Sequence, residues 1–243
     1  IKDCAMTLEA IQGEDRLDST SVRHCITEDY MSTVENGIKG MKIAVPIELF
    51  NMSIRVSMEK LKEMGASVED ISLPVEEEGL SAYYIISSAE AGSNLGRFDG
   101  IRYGYRTEDF GSIEELIERS RSEGFGEEVK KRIMLGTLVL SSKYYDAYYN
   151  RAQKLRRKIK EQFLKVFEDY DLILSPVSPL SEIYTVNANL TGVPALSMPC
   201  GVSRSGRPIG LQIIGPHYGE DKIFKAAYAL EQELKLAAMH PML

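Results

Sequence analysis

The chain has 243 residues, 44% of them hydrophobic and 27% charged, a composition typical of a globular protein with a sizeable core. Its formal net charge of −7 argues against a general nucleic-acid-binding surface, and no apolar run approaches the roughly 18 residues that a membrane span needs. Three cysteines show no metal-ligand spacing and fit a reducing compartment, so the composition predicts a cytoplasmic protein without a membrane partner.

The chain opens with residues 1–13, which read as an amphipathic helix. Cys4, Leu8 and Ile11 recur on one face of this helix, and Gly13 is a typical C-terminal stop. Because the chain starts inside a helix and without Met, we expect the protein to have residues upstream.

Residues 40–74 predict a strand–helix–strand unit. Residues 40–46 alternate apolar and polar side chains as a strand does, residues 54–61 carry apolar side chains at helical spacing, and residues 65–74 form a second strand that Pro74 ends. In a βαβ unit the two strands are parallel and the crossover is right-handed, so we expect that arrangement here.

The middle of the chain is predicted to be helical. Residues 80–98 contain small side chains that would let another backbone approach closely, namely Ser87, Ser88, Ala91 and Gly92. The helix predicted at 112–124 begins with a capping box from Ser112 to Glu115. Residues 127–170 contain no proline, which predicts two long helices or one bent helix.

The last third of the chain returns to strands. Residues 171–176 have strand character, and residues 195–202 and 208–215 read as a hairpin joined by a short polar loop. Residues 223–234 form a final amphipathic helix. This order of elements predicts an α/β fold, a mixed sheet covered by helices, in one domain or part of one.

Cys200 and His217 are the pair that most resembles a nucleophile and its base, but no orienting acid accompanies them. Cys200 lies in a strand-like stretch, and a buried cysteine behaves as a small hydrophobe, so an inert Cys200 is the favoured interpretation. His24 and His240 have no ligand spacing with acidic residues or cysteine, which makes a metal site unexpected. No catalytic set can be assembled from the residue types alone.

Three further stretches have both a structural and a functional interpretation. Residues 151–160 carry six basic side chains around a helix with an apolar stripe, which favours a solvated helix face over an RNA-phosphate contact. Residues 143–150 place tyrosines at i, i+1, i+4 and i+5, a cluster more typical of core or interface packing than of a binding site. The aromatic loop at 98–106 is compatible with a ligand contact or a purely structural role.

Five stretches, taken in order, point to one family. Residues 97–106, 120–154, 170–179, 189–201 and 206–215 together closely resemble the C-terminal half of amidase-signature enzymes of one kind, the A subunits of glutamyl-tRNA(Gln)/aspartyl-tRNA(Asn) amidotransferases. The sequences SEGFGEEVKKRIMLG and YYDAYY resemble these subunits in particular. The resemblance covers essentially the whole chain and implies the C-terminal portion, residues 1–243, of a single amidase-signature domain with an α/β/α sandwich fold.

The resemblance implies a glutaminase whose catalytic groups lie outside this sequence. In the family a serine nucleophile is activated by a second serine, held by a cis peptide, and by a lysine base, while backbone N–H groups stabilise the oxyanion. These groups belong to a Gly/Ser-rich region that no stretch of the 243 residues resembles. No catalytic residue is therefore assigned, and the chain alone is expected to be inactive.

The resemblance also implies partners. The ammonia released from glutamine passes to a partner subunit, which uses ATP and Mg²⁺ to amidate the mischarged tRNA. The B subunit holds that tRNA, and the small C subunit makes the complex a heterotrimer. No cofactor is expected in this chain itself, and the choice between Gln-tRNA and Asn-tRNA as product would rest on the partner subunits.

Three residues match family positions that bind glutamine. Arg132 takes the place of the arginine that grips the substrate α-carboxylate, since a planar guanidinium holds a carboxylate bidentately and a lysine does so poorly. Tyr83 matches a tyrosine whose hydroxyl contacts the substrate. Glu182 aligns with an acidic residue that faces the α-ammonium, where the relative has Asp.

The chain departs from the family between Pro179 and Leu180, where the family has a further loop segment. Loops of that kind are often active-site elements, so a true deletion would alter the surroundings of Glu182. Two alternatives to the glutaminase subunit remain open. One is a stand-alone amidase-signature hydrolase of another amide, and the other is a non-catalytic chain that only binds partner subunits.

Overall fold

The computed structural model describes residues 1–22, 28–49, 54–73, 78–177, 183–203 and 206–235. The chain divides into two compact units, the first formed by Ile1–Val75 with Ile159–Leu243 and the second by Glu76–Lys158. The helices are α1 (Lys2–Ile11), α2 (Tyr30–Thr33), α3 (Arg55–Glu63), α4 (Glu78–Asn94), α5 (Ile113–Gly124), α6 (Glu127–Leu140), α7 (Asn150–Val166), α8 (Ile183–Thr191) and α9 (Glu220–Leu234). The strands are β1 (Lys42–Pro46), β2 (Ser67–Ile71), β3 (Leu172–Val177), β4 (Ala195–Val202) and β5 (Pro208–Ile214).

The first unit is built on a mixed sheet whose strands, among the described residues, follow the order β2-β1-β3-β5-β4. β1 pairs in parallel with β2 and β3, whereas β5 pairs antiparallel with β3 and β4. The predicted α/β fold with a mixed sheet is confirmed. β3 lies at the centre, and its run of apolar residues is buried almost throughout, as expected for a strand covered on both faces.

The local predictions for this sheet also hold. α3 connects β1 to β2, which are parallel with Lys42 opposite Ser67, so the βαβ unit is present. β4 and β5 form the predicted hairpin, with a register shift between Pro199 and Gly201. A bulge at this point is expected because Pro199 has no N–H to donate to the ladder.

The core of the first unit lies between this sheet and α9. The amphipathic pattern predicted for the last helix is confirmed, since Ile223, Ala227 and Leu230 are buried in one cluster with sheet residues such as Leu172 and Leu211. The periodicity of the sequence predicts this face correctly because these three residues pack into the core cluster of the sheet.

The apolar face predicted for α1 is present, since Cys4, Leu8 and Ile11 line one groove together. Ala5 is fully buried against Tyr30 and Phe224, while Cys4 and Ile11 are exposed. The helix packs through a narrow contact centred on the small side chain of Ala5. The apolar residues on the neighbouring stripe are therefore left at the surface.

The second unit is helical, as predicted, and its central feature is the packing of α4 on α6. The small residues of α4 lie at this contact: a Cβ placed on Gly92 would stand 3.4 Å from the backbone of Gly136 in α6. Of the two forms predicted for residues 127–170, the two-helix form is correct, because α6 ends at Leu140 and a π-helical turn at Tyr145–Tyr149 precedes α7.

The predicted cap of α5 is present with one change of partner. The Ser112 hydroxyl accepts a hydrogen bond from the Glu115 N–H at 3.2 Å. The Glu115 carboxylate accepts from the Gly111 N–H at 2.8 Å rather than from Ser112 itself. The capping box is thus closed one residue upstream, and it still satisfies two backbone donors at the helix start.

Candidate functional site

Arg132 and Tyr83 are brought together by the packing of α6 on α4 in the second unit. The Arg132 Nε donates to Glu128 Oε1 at 3.2 Å, one helical turn earlier in α6. Tyr83 of α4 is a second neighbour that raises the pKa of the guanidinium, and the Arg132 Cζ lies 5.8 Å from the ring centre of Tyr84. These contacts place one cation beside a carboxylate and an aromatic face.

The electrostatics of this cluster favour a permanent positive charge. The hydrogen bond to Glu128 and then the Tyr83 side chain raise the pKa of the Arg132 guanidinium above its usual value. About a third of the Arg132 side chain, 34%, is exposed, so the guanidinium is accessible to a solute. Accessible guanidinium groups bind carboxylates and phosphates through pairs of parallel N–H donors.

The two tyrosines of the cluster are held against each other. The rings of Tyr83 and Tyr84 make an edge-to-face contact with centroids 5.6 Å apart and an interplanar angle of 68°. That geometry is favoured because the positive edge of one ring meets the negative face of the other. The arrangement fixes the Tyr83 hydroxyl beside Arg132, where it can offer a further hydrogen bond to a ligand.

Two members of this cluster, Tyr84 and Glu128, were missed by sequence reasoning. The position of Glu128 four residues before Arg132 is a recognisable i, i+4 pair that could have indicated the contact. Tyr84 has no such signal, because its approach to Arg132 depends on how α4 and α6 pack. The third predicted binding residue, Glu182, and the junction of Pro179 with Leu180 lie outside the described residues.

Cys200 occupies the position expected of an inert cysteine. It is buried in β4, within the hydrophobic core of the first unit. Burial raises the pKa of the Cys200 thiol, and the hydrogen bond with Ser57 only partly opposes this effect. A buried thiol with a raised pKa is protonated at neutral pH and is a poor nucleophile.

The described residues contain no group of three or more His, Cys, Asp or Glu side chains placed to hold a metal ion. Of the three histidines, His217 is described and lines a small cavity of about 460 Å³ with Asn189 and Glu220. His24 and His240, like Cys25, lie outside the described residues. Within the described part of the chain no helix is long and apolar enough to cross a membrane.

The basic stretch at 151–160 has the solvated face that was the favoured prediction. Ile159 and Phe163 of α7 are buried, while Arg151, Lys154 and Arg157 are exposed. The neighbouring tyrosine cluster at 143–150 is not a core element, since Tyr145 is 39% and Tyr148 48% exposed. The tyrosines instead pack on one another in pairs along the π-helical turn.

The aromatic loop at 98–106 is braced by α5. Arg121 donates through Nη1 to the backbone oxygens of Leu95 and Phe98, each at 2.9 Å, and the Tyr105 hydroxyl donates to Glu123 at 2.8 Å. Of the two interpretations, these bonds favour the structural role.

In the first unit, β4 forms an edge of the described sheet beside an apolar groove. The groove holds about 660 Å³ and lies between α1, β4 and α9, with Cys4, Leu8, Ile11, Leu196 and Phe224 among its lining residues. The first part of β4, residues 195–198, contains no charged side chain. An uncharged edge next to an apolar groove is a surface on which a further strand can pair.

Comparison with known proteins places these observations in one family. The amidase family model matches residues 1–224. The chain is 58% identical over 258 residues to an A subunit of glutamyl-tRNA(Gln) amidotransferase from Clostridium acetobutylicum, a match that covers 96% of the chain and 54% of the relative. It is 52% identical over 259 residues to the A subunit of glutamyl-tRNA(Gln) amidotransferase from Alkaliphilus metalliredigens, covering 96% and 53%.

Solved structures agree. The crystal structure of the A subunit of glutamyl-tRNA(Gln) amidotransferase from Thermotoga maritima matches with a TM-score of 0.69 and 34% identity, over 95% of this chain and 50% of that one. The peptide amidase of Stenotrophomonas maltophilia shares the fold, with a TM-score of 0.75 at 24% identity over 98% of this chain and 52% of that one. The chain spans about half the length of the relatives that it matches, 54% and 53% of the two curated ones.

Proposed function

Because this chain belongs to the amidase family, we propose that its residues form the C-terminal half of a glutamine-hydrolysing subunit of a tRNA-dependent amidotransferase. The names of its relatives support this activity. The observation that carries substrate recognition is the partly exposed Arg132 guanidinium of α6, which lies 5.8 Å from the ring of Tyr84, the residue next to Tyr83 in α4. It provides a fixed, accessible cation.

In this proposal Arg132 binds the α-carboxylate of glutamine. The guanidinium is planar and permanently charged, so it matches the two oxygens of a carboxylate with two parallel hydrogen bonds. The hydrogen bond to Glu128 raises the pKa of the group further. A point charge such as an ammonium would hold the same carboxylate without fixing its plane.

Tyr83 completes this part of the site. A phenolic oxygen can accept from a guanidinium and still donate its hydrogen to the substrate, which is the role proposed for Tyr83. Glu182 remains the proposed partner of the α-ammonium. A carboxyl-binding arginine and an ammonium-binding acid together distinguish an amino acid substrate from a simple amide.

The proposal takes the nucleophilic serine, the second serine and the lysine base from the remaining half of the family domain, and it assigns catalysis to no residue of this chain. The ammonia then passes to a partner subunit that uses ATP and Mg²⁺. In the proposed assembly the B subunit holds the charged tRNA, and the small C subunit makes the complex a cytoplasmic heterotrimer.

The edge of β4 and the groove beside it are the proposed contact surface for the remaining half of the domain. An edge strand gains backbone hydrogen bonds when a strand is added there. The added chain would also bury the apolar surface of the groove, and removing that surface from water stabilises the contact.

The test compares the 243-residue chain with the full-length subunit that contains it. We expect the chain alone to release no ammonia from glutamine. We expect the full-length subunit to release it, with a rate that rises on addition of a mischarged tRNA together with the B subunit. Turnover by the chain alone would contradict the proposed division of the domain.

The same measurement separates the two alternatives. A full-length protein that hydrolyses other amides and does not respond to the B subunit would instead be a stand-alone amidase. Binding of partner subunits without any hydrolysis by the full-length protein would indicate a non-catalytic role.

A further inference from the structure

Tyr84 is an exposed aromatic residue whose position is explained by Arg132. Tyr84 directly follows Tyr83 in α4, and its side chain is 37% exposed. The Arg132 Cζ lies 5.8 Å from the centre of the Tyr84 ring. This separation is within the roughly 6 Å range in which a guanidinium is attracted by the face of an aromatic ring.

The two tyrosines therefore act on one guanidinium in two different ways. Tyr84 meets it through the ring, and Tyr83 raises the pKa of the guanidinium. The rings of Tyr83 and Tyr84 also pack edge to face, so Tyr83, Tyr84 and Arg132 form one cluster. Without these contacts the Arg132 side chain would sample many rotamers, since long flexible side chains lose much conformational entropy when they are fixed.

Glu128 determines which edge of the guanidinium can receive a second carboxylate. A guanidinium offers parallel donor pairs either from Nε with one Nη nitrogen or from the two Nη nitrogens. Glu128 occupies the Nε hydrogen at 3.2 Å. A second carboxylate that binds bidentately without displacing Glu128 uses the two Nη nitrogens.

We propose that Tyr84 is a positioning residue for Arg132, and that Glu128 directs the guanidinium so that the α-carboxylate of glutamine binds end-on to its two Nη nitrogens. This inference rests on the proposed function, because it concerns the same substrate. Tyr84 and Glu128 do not touch the reacting amide. Their effect is on how well the carboxylate is held before the reaction.

The kinetic consequence is a change in KM with little change in kcat. If Tyr84 only orders Arg132, then without Tyr84 the entropy cost of fixing the Arg132 side chain falls on substrate binding and raises KM. Substrate that is already bound still reacts at the same rate. The expected increase in KM for glutamine is roughly two- to fivefold, the range of an exposed cation–π contact. Tyr84→Phe, which keeps the aromatic ring without the hydroxyl, should therefore keep the KM of the wild type.

The experiment uses the full-length subunit in its complex with the B and C subunits, and measures glutaminase kinetics for Tyr84→Leu, Tyr84→Phe, Arg132→Lys and the double variant Tyr84→Leu/Arg132→Lys. We expect Tyr84→Leu to raise KM alone, Tyr84→Phe to restore it, and Tyr84→Leu to add little in the Arg132→Lys background. An effect of Tyr84→Leu on kcat, or an undiminished effect in that background, overturns the positioning role. If Arg132→Lys is itself unchanged, the proposed carboxylate site fails; if it is impaired while Tyr84→Leu is not, only the role of Tyr84 fails.

The role of Glu128 is tested by two variants that both remove its charge. Glu128→Gln keeps an oxygen that can accept from Arg132 Nε, whereas Glu128→Ala does not, so KM should be higher for Glu128→Ala than for Glu128→Gln. Equal KM values overturn the orienting role. A crystal structure of the complex with the product L-glutamate supplies the second measurement: the α-carboxylate should bind the two Nη nitrogens, and a carboxylate on Nε overturns end-on binding.

Discussion

Gly136 of α6 lies against the backbone of Ser88 in α4, so closely that a Cβ at residue 136 would stand 2.0 Å from the Ser88 carbonyl oxygen. Gly136 follows Arg132 by one helical turn, and Ser88 follows Tyr84 by one turn. The contact therefore sets the separation of the two helices next to the residues that form the proposed carboxylate site. Small side chains in this pair of helices are a condition for bringing Arg132 and Tyr83 together.

Replacing Gly136 with alanine should destabilise the protein although alanine is the better helix former. The added methyl meets backbone atoms of Ser88, which cannot rotate away as a side chain can, so the helices must separate. The expected loss is about 1–3 kcal/mol in the free energy of unfolding, as for other overpacked contacts. Urea unfolding of Gly136→Ala measures it. Gly96→Ala is the control, because a Cβ there meets no atom within 4 Å, and equal stability of the two variants would contradict the prediction.

Arg132→Lys should weaken the use of glutamine in the full-length enzyme. The lysine keeps the charge but loses the fork of parallel donors and the contacts with Glu128 and Tyr84 that fix it. Charge-assisted hydrogen bonds are worth about 1.5–3 kcal/mol, and loss of part of that corresponds to a roughly tenfold lower kcat/KM. Steady-state ammonia release checks this. The neighbouring exposed residue supplies the matched control, Lys131→Ala, which should leave the kinetics unchanged.

Tyr83→Phe should raise KM for glutamine and leave the free energy of unfolding almost unchanged. The substitution removes the hydroxyl proposed to reach the substrate, while the edge-to-face packing with Tyr84 is retained. A neutral hydrogen bond of about 0.5–1.5 kcal/mol predicts an increase of roughly two- to tenfold. Tyr148→Phe, at a tyrosine that is 48% exposed, is the control. The same KM for both variants would remove Tyr83 from the site.

The sequence was sufficient to predict those elements whose apolar residues recur at one spacing and pack against one partner. The βαβ unit, the β4–β5 hairpin and the apolar face of α9 all follow from periodicity, because most of their apolar residues belong to one core cluster around the sheet. Arg132 and Tyr83 were named from family resemblance. Their proximity required the structure, since residues 49 positions apart in sequence approach each other only through the packing of α4 on α6.

Periodicity identified apolar faces but not which of them are covered in the described structure. Cys4 and Ile11 share a stripe of α1, yet the contact of this helix runs through Ala5, so the stripe lies in an open groove. The tyrosines at 143–150, predicted to pack in a core or an interface, pack on one another along a π-helical turn that leaves Tyr148 exposed. A sequence pattern states which side chains are apolar, and only the tertiary structure states which of them are covered.

The stability of the first unit should depend on the ionisation of Asp171. Burial raises the pKa of this carboxyl, but hydrogen bonds from the Lys222 side chain at 2.5 Å and the Lys42 backbone N–H at 2.9 Å outweigh burial and lower it overall. A lowered pKa in the folded state means that the stabilisation is present above the unfolded value, about 3.9, and is lost as the pH falls through the folded value.

Asp171→Asn should therefore be less stable than the wild type at pH 7, and the difference between the two should shrink below about pH 4. Urea midpoints for both proteins at a series of pH values measure this difference directly. Asp169→Asn is the control at an exposed carboxylate two residues away. A difference between Asp171→Asn and wild type that is constant from pH 7 to pH 3 would show that charge at Asp171 does not stabilise the fold.

Cys4 offers a direct probe of the proposed contact surface for the rest of the domain. Its side chain is exposed in the 243-residue chain and lines the groove beside β4, whereas Cys200 is buried with a raised thiol pKa. In a Cys25→Ser background, an aromatic disulfide reagent should label Cys4 rapidly in the 243-residue chain and at least roughly tenfold more slowly in the full-length subunit, because a covered thiol cannot reach the reagent. Loss of the fast phase in Cys4→Ser identifies the residue. Equal labelling rates in the two proteins would mean that the remaining half of the domain does not cover this groove, and that the edge of β4 faces solvent in the whole enzyme.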